Sequence, residues 1–262
     1  KIARREKLLA KMQSARQRLE AQAKRRAEGE RRDYEKKVKA REKRKGRAKG
    51  PKPKEPTDTP DATQQTNLSD GDSALMRKSK RESYTQSYNT QIAVDADGSQ
   101  LILSKHVSGC ASDANELKPA LEGIDDRLGR AQRALADSGY VNAEAIEEIE
   151  TSGIDVYVSV GREDGNYERA YDYRPQHVRN KPAKKVSDER LLAMQAKLAT
   201  EEGRAIYRKR QETVEPVFGI IKSAMGFRQF LLRGKQKVST EWDLVCLAYN
   251  VKRLWQARTA IT

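Results

Sequence analysis

The chain has 262 residues, enough for one large or two small domains, but 35% of them are charged and the mean hydropathy is −0.91, so only part of its length can form a packed core. The net charge of +15 is concentrated at one end: residues 1–54 carry 23 Lys and Arg against 7 Asp and Glu, while the rest carries 30 against 31. Cys110 and Cys246 form no disulfide or zinc-like spacing, no apolar run approaches the ~18–20 residues of a membrane span, and no signal-type apolar stretch follows the basic start, so a disulfide-rich, secreted or membrane-spanning protein is not expected and a cytoplasmic one is.

Residues 1 to about 44 contain no proline and one glycine, Gly29, and Leu8, Met12, Ala15 and Leu19 recur at spacings of four and three. This predicts a basic helical arm over residues 1–45 with a narrow apolar seam. The lysines and arginines toward its end, Lys36, Lys37, Arg41, Lys43, Arg44 and Lys45, suit phosphate contact without sequence readout. An anionic surface would attract the same charges. Residues 46–83 are read as a flexible linker, since their first part combines four prolines with Gly, Thr, Asp and Gln and has almost no apolar content. The globular part is then 84–262.

Tyr88-Asn-Thr-Gln-Ile-Ala-Val94 and Gln100-Leu-Ile-Leu-Ser-Lys-His-Val107 read as a β-hairpin around the turn residues Asp95-Ala-Asp-Gly98. A helix from Asp113 or Asn115 to Glu122, capped by the Ser112/Asp113 region, follows. Arg133-Ala-Leu-Ala136 is a short strand ending at Asp137, and Asn142 caps a helix through Ile149. Asp155 to Val160 is another strand, and residues 161–186 show no clear period. Ser187 or Asp188 opens a helix to about Ala199, and a second runs from Thr200 through Glu215 toward Lys222. The last segment, Thr240 to Ala257, places Trp242, Val245, Cys246, Tyr249 and Leu254 at helical spacing, and Trp242, Tyr249 and Trp255 fall on one side, expected in the core or in a subunit contact rather than stacked on bases. The order strand, strand, helix, strand, helix, strand, helix is that of an α/β protein and matches a ribonuclease-H-like sheet if one more strand precedes the hairpin.

Asp137 stands at the carboxyl end of a buried strand, where open α/β sheets hold ligands. An Asp in Asp-Ser-Gly is also an ordinary turn or cap residue, and both roles stay open on the residues alone. His106 and His177 lie apart and suggest no histidine-based hydrolase, and Gly161-Arg-Glu-Asp-Gly165 is no phosphate-binding loop, so a nucleotide cofactor is not expected.

The stretch Tyr207-Arg-Lys-Arg-Gln-Glu-Thr-Val-Glu215-Pro-Val-Phe-Gly-Ile-Ile-Lys222 resembles the carboxyl-terminal signature of insertion-sequence DDE transposases. Asn67-Leu-Ser-Asp70, Tyr88 to Asp95, Met225 to Gly234 and Glu241 to Asn250 are similar to further parts of that family, in the same order. The resemblance implies a ribonuclease-H-like (retroviral integrase-like) mixed sheet with flanking helices. It also implies an enzyme that hydrolyses a phosphodiester at an element end and transfers the freed 3′-hydroxyl to target DNA. Three carboxylates, Asp, Asp and Glu, hold two Mg²⁺ or Mn²⁺ ions in that family, and hard oxygen donors suit such cations. Asp137 corresponds to the second carboxylate and Glu215 to the third. Lys222, Arg210 and Tyr207 correspond to DNA-positioning residues, although Arg210 precedes Glu215 by five residues where the commonest pattern has four. The seven-residue step from Glu215 to Lys222 puts both on nearly one face of a straight helix.

The first aspartate and the central strand that bears it are expected to be missing, because Asp95 belongs to the hairpin turn. The chain therefore reads as the partial catalytic domain of a truncated transposase with little activity of its own. Expected partners are DNA and, for the intact protein, a second copy, in a bacterial cytoplasm at the nucleoid. The alternatives are a noncatalytic DNA-binding remnant and, more distantly, a structural nucleoid protein led by the basic helix.

Overall fold

The computed structural model describes residues 2–43, 52–77, 82–161 and 186–259. They belong to two compact units, Lys1–Ser87 and Tyr88–Thr262. His177 and the stretch Arg162 to Gly165 lie outside the described residues.

The first unit is built on helix α1 (Ile2–Lys43). Its buried positions are not the large apolar residues of the expected seam: Leu8 and Met12 are exposed, and Ala15, Ala23 and Ala27 are buried. Small side chains allow close approach, and the segment after the helix makes one: Gly71 stands so near the Arg18 guanidinium that a Cβ there would lie 2.5 Å from it. Within the stretch expected as linker, Asp61 and Asn67 organise local turns through their side chains. Ala74–Met76 forms strand β1, antiparallel to β2 (Thr85–Ser87). Composition gave no signal for β1, because a three-residue strand has no period to read.

The second unit has two cores. Strands β3 (Asn89–Val94) and β4 (Ile102–Ser108) form the expected antiparallel hairpin. Helix α2 (Leu117–Glu122) comes next, and α3 (Ala143–Thr151) connects β5 (Arg133–Ala136) to β6 (Asp155–Val158), which pairs with β5 in parallel. Three helices close the unit: α4 (Glu189–Ala199), α5 (Glu201–Gly219), which continues into a π-helical turn at Ile220–Ala224, and α6 (Lys235–Thr259). One core gathers Ile92, Ile102 and Val107 of the hairpin with Val217, Ile221, Val238, Trp242, Cys246 and Tyr249. The other gathers Leu117, Ala134, Ala136, Ile146, Ile149, Val156, Val158 and Met194.

Capping residues start the helices largely where the sequence puts them. Asn142 Oδ1 accepts from the amides of Glu144 and Ala145, Asp188 Oδ1 from Arg190, and Thr200 Oγ1 from Gly203. Helix α2 is an exception. It starts at Leu117 after Glu116, which makes no side-chain cap bond, and the Asp113 carboxylate is engaged elsewhere.

The second unit is mixed α/β, and the described strands make three separate pairs, β1–β2, β3–β4 and β5–β6, with no described strand between β3 and β5 to carry a ladder. On α6, Trp242, Cys246 and Tyr249 enter the core, but Leu254 and Trp255 are exposed. A helix 25 residues long presents several turns beyond the short hairpin it covers.

Buried Cys246 has its thiol pushed up to about 12 by loss of hydration, whereas Cys110 is exposed. DTNB at about pH 8 is therefore expected to modify one thiol of the native chain quickly and the second only after unfolding. Two equally fast thiols would contradict the packing of α6.

Candidate active site

Asp137 ends β5 in extended conformation and caps a single 3₁₀ turn, Ser138–Tyr140. Its Oδ1 accepts from the Gly139 amide at 2.7 Å, which is the local reason an Asp ends this strand. The carboxylate is exposed. Gly139 is needed for close approach: a Cβ there would lie 2.9 Å from Asp137 Oδ1 and 3.3 Å from Asp113 Oδ2. Asp113 and Asp137 thus face one another across a residue without a side chain.

A polar network behind this turn was not legible as a site. Asp113 Oδ1 accepts from Asn89 Nδ2 at 2.6 Å and from Gln91 Nε2 at 2.7 Å. The Tyr140 hydroxyl donates to Gln91 Oε1. Deeper in, Glu116 accepts from Ser108 Oγ at 2.6 Å and meets His106 Nε2 at 2.7 Å. The Tyr140 phenol is pushed well above its ordinary value, first by burial and then by the negative charges of Asp113, Asp137 and Glu116. The signal for the network was Asn89 and Gln91 on one face of a strand whose other face carries Ile92 and Val94. Polar residues on a buried strand face must have partners, but the sequence does not name them.

Glu215 lies about one turn before the end of α5, exposed, with Oε1 3.6 Å from Arg210 Nη1. At that distance, and with the carboxylate itself exposed, the pair does little to hold Glu215 in place. The Arg210 guanidinium lies 5.5 Å from the centre of the Tyr207 ring and the Lys222 ammonium 5.2 Å from that of Phe218. The straight helix assumed between Glu215 and Lys222 is not what forms, since Lys222 sits in the π-helical turn, which shifts its direction from that of an uninterrupted α-helix.

Pro216 explains how this part of α5 is tied down. Proline brings no N–H, so the Glu212 carbonyl one turn earlier loses its helical partner. Gln100 Nε2 donates to that carbonyl at 2.9 Å. Gln100 follows the hairpin turn with φ of 54°, and its own carbonyl accepts from the Tyr249 hydroxyl of α6 at 3.1 Å. In the same turn Asp95 accepts from the Asp97 amide and from Ser99, which lowers its carboxyl, chiefly through the Ser99 hydroxyl. Its role is the turn.

Helix α5 packs on β3, β5 and β6. Among the described residues no group of three or more His, Cys, Asp or Glu is arranged to hold a metal ion. The two carboxylates that the geometry brings together are Asp137 and Asp113. In the first unit, Lys36 is exposed and Arg41 half-buried near the end of α1, Lys37 and Lys43 belong to the same turns, and Arg44 and Lys45 lie outside the described residues. No helix among the described residues is long and apolar enough to cross a membrane.

Residues 58–251, well over half of the chain, match the family model described as "Transposase DDE domain". No curated protein and no solved structure matches the chain significantly.

Gly139→Ala is expected to displace the Asp137 carboxylate without unfolding the chain. The thermal midpoint should fall by roughly 2–4 °C, equivalent to about 1 kcal/mol. A structure of the variant should lack the bond from residue 139 to Asp137. Retention of that bond with an unchanged melt would refute the crowding argument.

Proposed function

The chain belongs to the transposase DDE-domain family, and on that premise we propose that it supplies the catalytic part of an insertion-sequence transposase, cleaving DNA phosphodiesters at element ends and joining the freed 3′-hydroxyl to target DNA. The family match carries the proposal, because its span, 58–251, includes both Asp137 and Glu215. We infer that these two are the second and third carboxylates of the family's three.

The donor chemistry fits a divalent cation. Asp137 presents an exposed carboxylate beside that of Asp113, and Mg²⁺ takes one or two carboxylates while keeping waters and accepting phosphate oxygens. Asp137 and Glu215 would hold Mg²⁺ or Mn²⁺, two ions in a complete site. Bound there, such ions would supply activation of the attacking oxygen and neutralisation of charge on the leaving one. Lys222, Arg210 and Tyr207 then hold DNA phosphates near the scissile bond. The basic residues of α1 add phosphate contacts that strengthen binding without selecting sequence. The setting proposed is the bacterial nucleoid.

The fold proposed is ribonuclease-H-like, with β4–β3 on one side and β5–β6 on the other side of a central strand. The Gln91–Tyr140 contact supports it, since it links β3 to the turn that follows β5 through two side chains, leaving room between the strands.

Calorimetry with Mn²⁺ is expected to show binding by the wild type that weakens about 10–100-fold in Asp137→Ala and in Glu215→Gln. Identical isotherms would remove the catalytic assignment. With two of the three carboxylates assigned, we infer little cleavage by this polypeptide alone. Plasmid nicking at cognate ends that disappears in Asp137→Ala would overturn that.

We also propose that two copies pair through α6. Leu244, Leu247, Val251 and Leu254 alternate at spacings of three and four, and with Trp255 they are between 55% and 66% exposed. A matching helix covers such a seam, and two copies together would hide on the order of 1,000 Å², the threshold of a specific interface. Light scattering should give twice the 29.7 kDa chain mass for the wild type and a single chain for Val251→Glu. A monomeric wild type, or a dimer unchanged by Val251→Glu, would rule this interface out.

A further inference from the structure

Gln91 is buried at 3% exposure on β3, and the chemistry proposed above does not use it. Each of its side-chain polar atoms is engaged. Nε2 donates to Asn89 Oδ1 at 2.9 Å and to Asp113 Oδ1 at 2.7 Å, and Oε1 accepts from the Tyr140 hydroxyl. The amide has one workable orientation, because turning it over would set its oxygen against two acceptor oxygens. Its backbone carbonyl takes the Trp242 indole N–H at 3.4 Å, which ties the residue to the aromatic core.

The turn that bears Asp137 has little to hold it by itself. It is one 3₁₀ turn, closed by Tyr140 N to Asp137 O at 3.2 Å and by the Gly139 amide to Asp137 Oδ1. Its carboxylate points to solvent. What is buried is the far end of the turn, where the Tyr140 ring packs on the second core and its hydroxyl reaches Gln91. On the near side stands Asp113, fixed by the amides of Asn89 and Gln91, a like charge that bars Asp137 from swinging toward β3.

We propose that Gln91 is a positioning residue for the reaction: by anchoring Tyr140 and holding Asp113, it fixes the direction in which the Asp137 carboxylate is presented. The proposal rests on the reading of Asp137 as a catalytic carboxylate, and the test separates the two.

The Gly139 amide reports the geometry, because it donates to Asp137 Oδ1. In the full chain, isotopically labelled for NMR, its proton should resonate downfield and exchange slowly, and Mn²⁺ should broaden it. Gln91→Met removes the anchor, and Tyr140→Phe removes only the hydroxyl while keeping the ring. Both are expected to speed exchange at Gly139 by about 10-fold and to raise the Mn²⁺ needed for half-broadening by a similar factor. Ile149→Val, a change in the same core away from the amide, should move neither signal, which separates positioning from general loosening. If Tyr140→Phe folds and leaves the Gly139 exchange rate and shift at wild-type values, the proposal is overturned. If wild-type Gly139 is untouched by Mn²⁺ yet responds to both variants, positioning stands and the metal-bearing role of Asp137 fails.

Discussion

A carboxamide cut off from water must find every partner within the protein, and Gln91 finds its partners in both halves of the larger unit. Its strand belongs to the core around Trp242, and the tyrosine it accepts from belongs to the core around Val156. Two strand pairs with no shared ladder are thereby linked by a side chain, beside the packing of α5 on both. A hydrogen bond of this kind gives a modest net gain when made and a larger loss when one partner is removed, so its main effect is to exclude other arrangements.

The same accounting governs the other end of the hairpin. Pro216 deprives one carbonyl of α5 of its helical donor, and the side chain of Gln100 takes its place. Asn250 on α6 extends the pattern: its Oδ1 accepts from Ile102 N at 2.9 Å and its Nδ2 donates to Ile102 O at 2.8 Å, as a neighbouring strand would. The hairpin is clasped by helices through amide side chains at places where backbone partners are lacking. Glu215, next to the proline, is carried on the segment this clasp holds, which gives an exposed carboxylate a firmly seated backbone.

How the charge is distributed separates two kinds of work. The arm holds nearly all the excess positive charge, and long-range attraction to a polyanion needs no geometry beyond that. The turn at Asp137 works in the opposite way. There, carboxylates are gathered in spite of their repulsion, and amide donors steady one of them. Such a place favours a counter-charge from outside the chain, in keeping with a family whose chemistry runs on divalent cations.

Much was readable from the sequence, for reasons that differ by element. Strand ends at Ala136 and helix starts at Asn142, Asp188 and Thr200 were legible because caps and alternation act over a few neighbouring residues. The family was legible because the motif around Glu215 is contiguous. The role of Asp113 was not: it looked like a cap, and its amide partners lie 22 and 24 residues away. Nor was the buried face of α1 or the π turn under Lys222. Local order depends on residues a turn apart and can be read along the chain. Which strands pair, and which carboxylates meet, depends on side chains far apart in sequence competing for the same buried space, and only the folded molecule decides that.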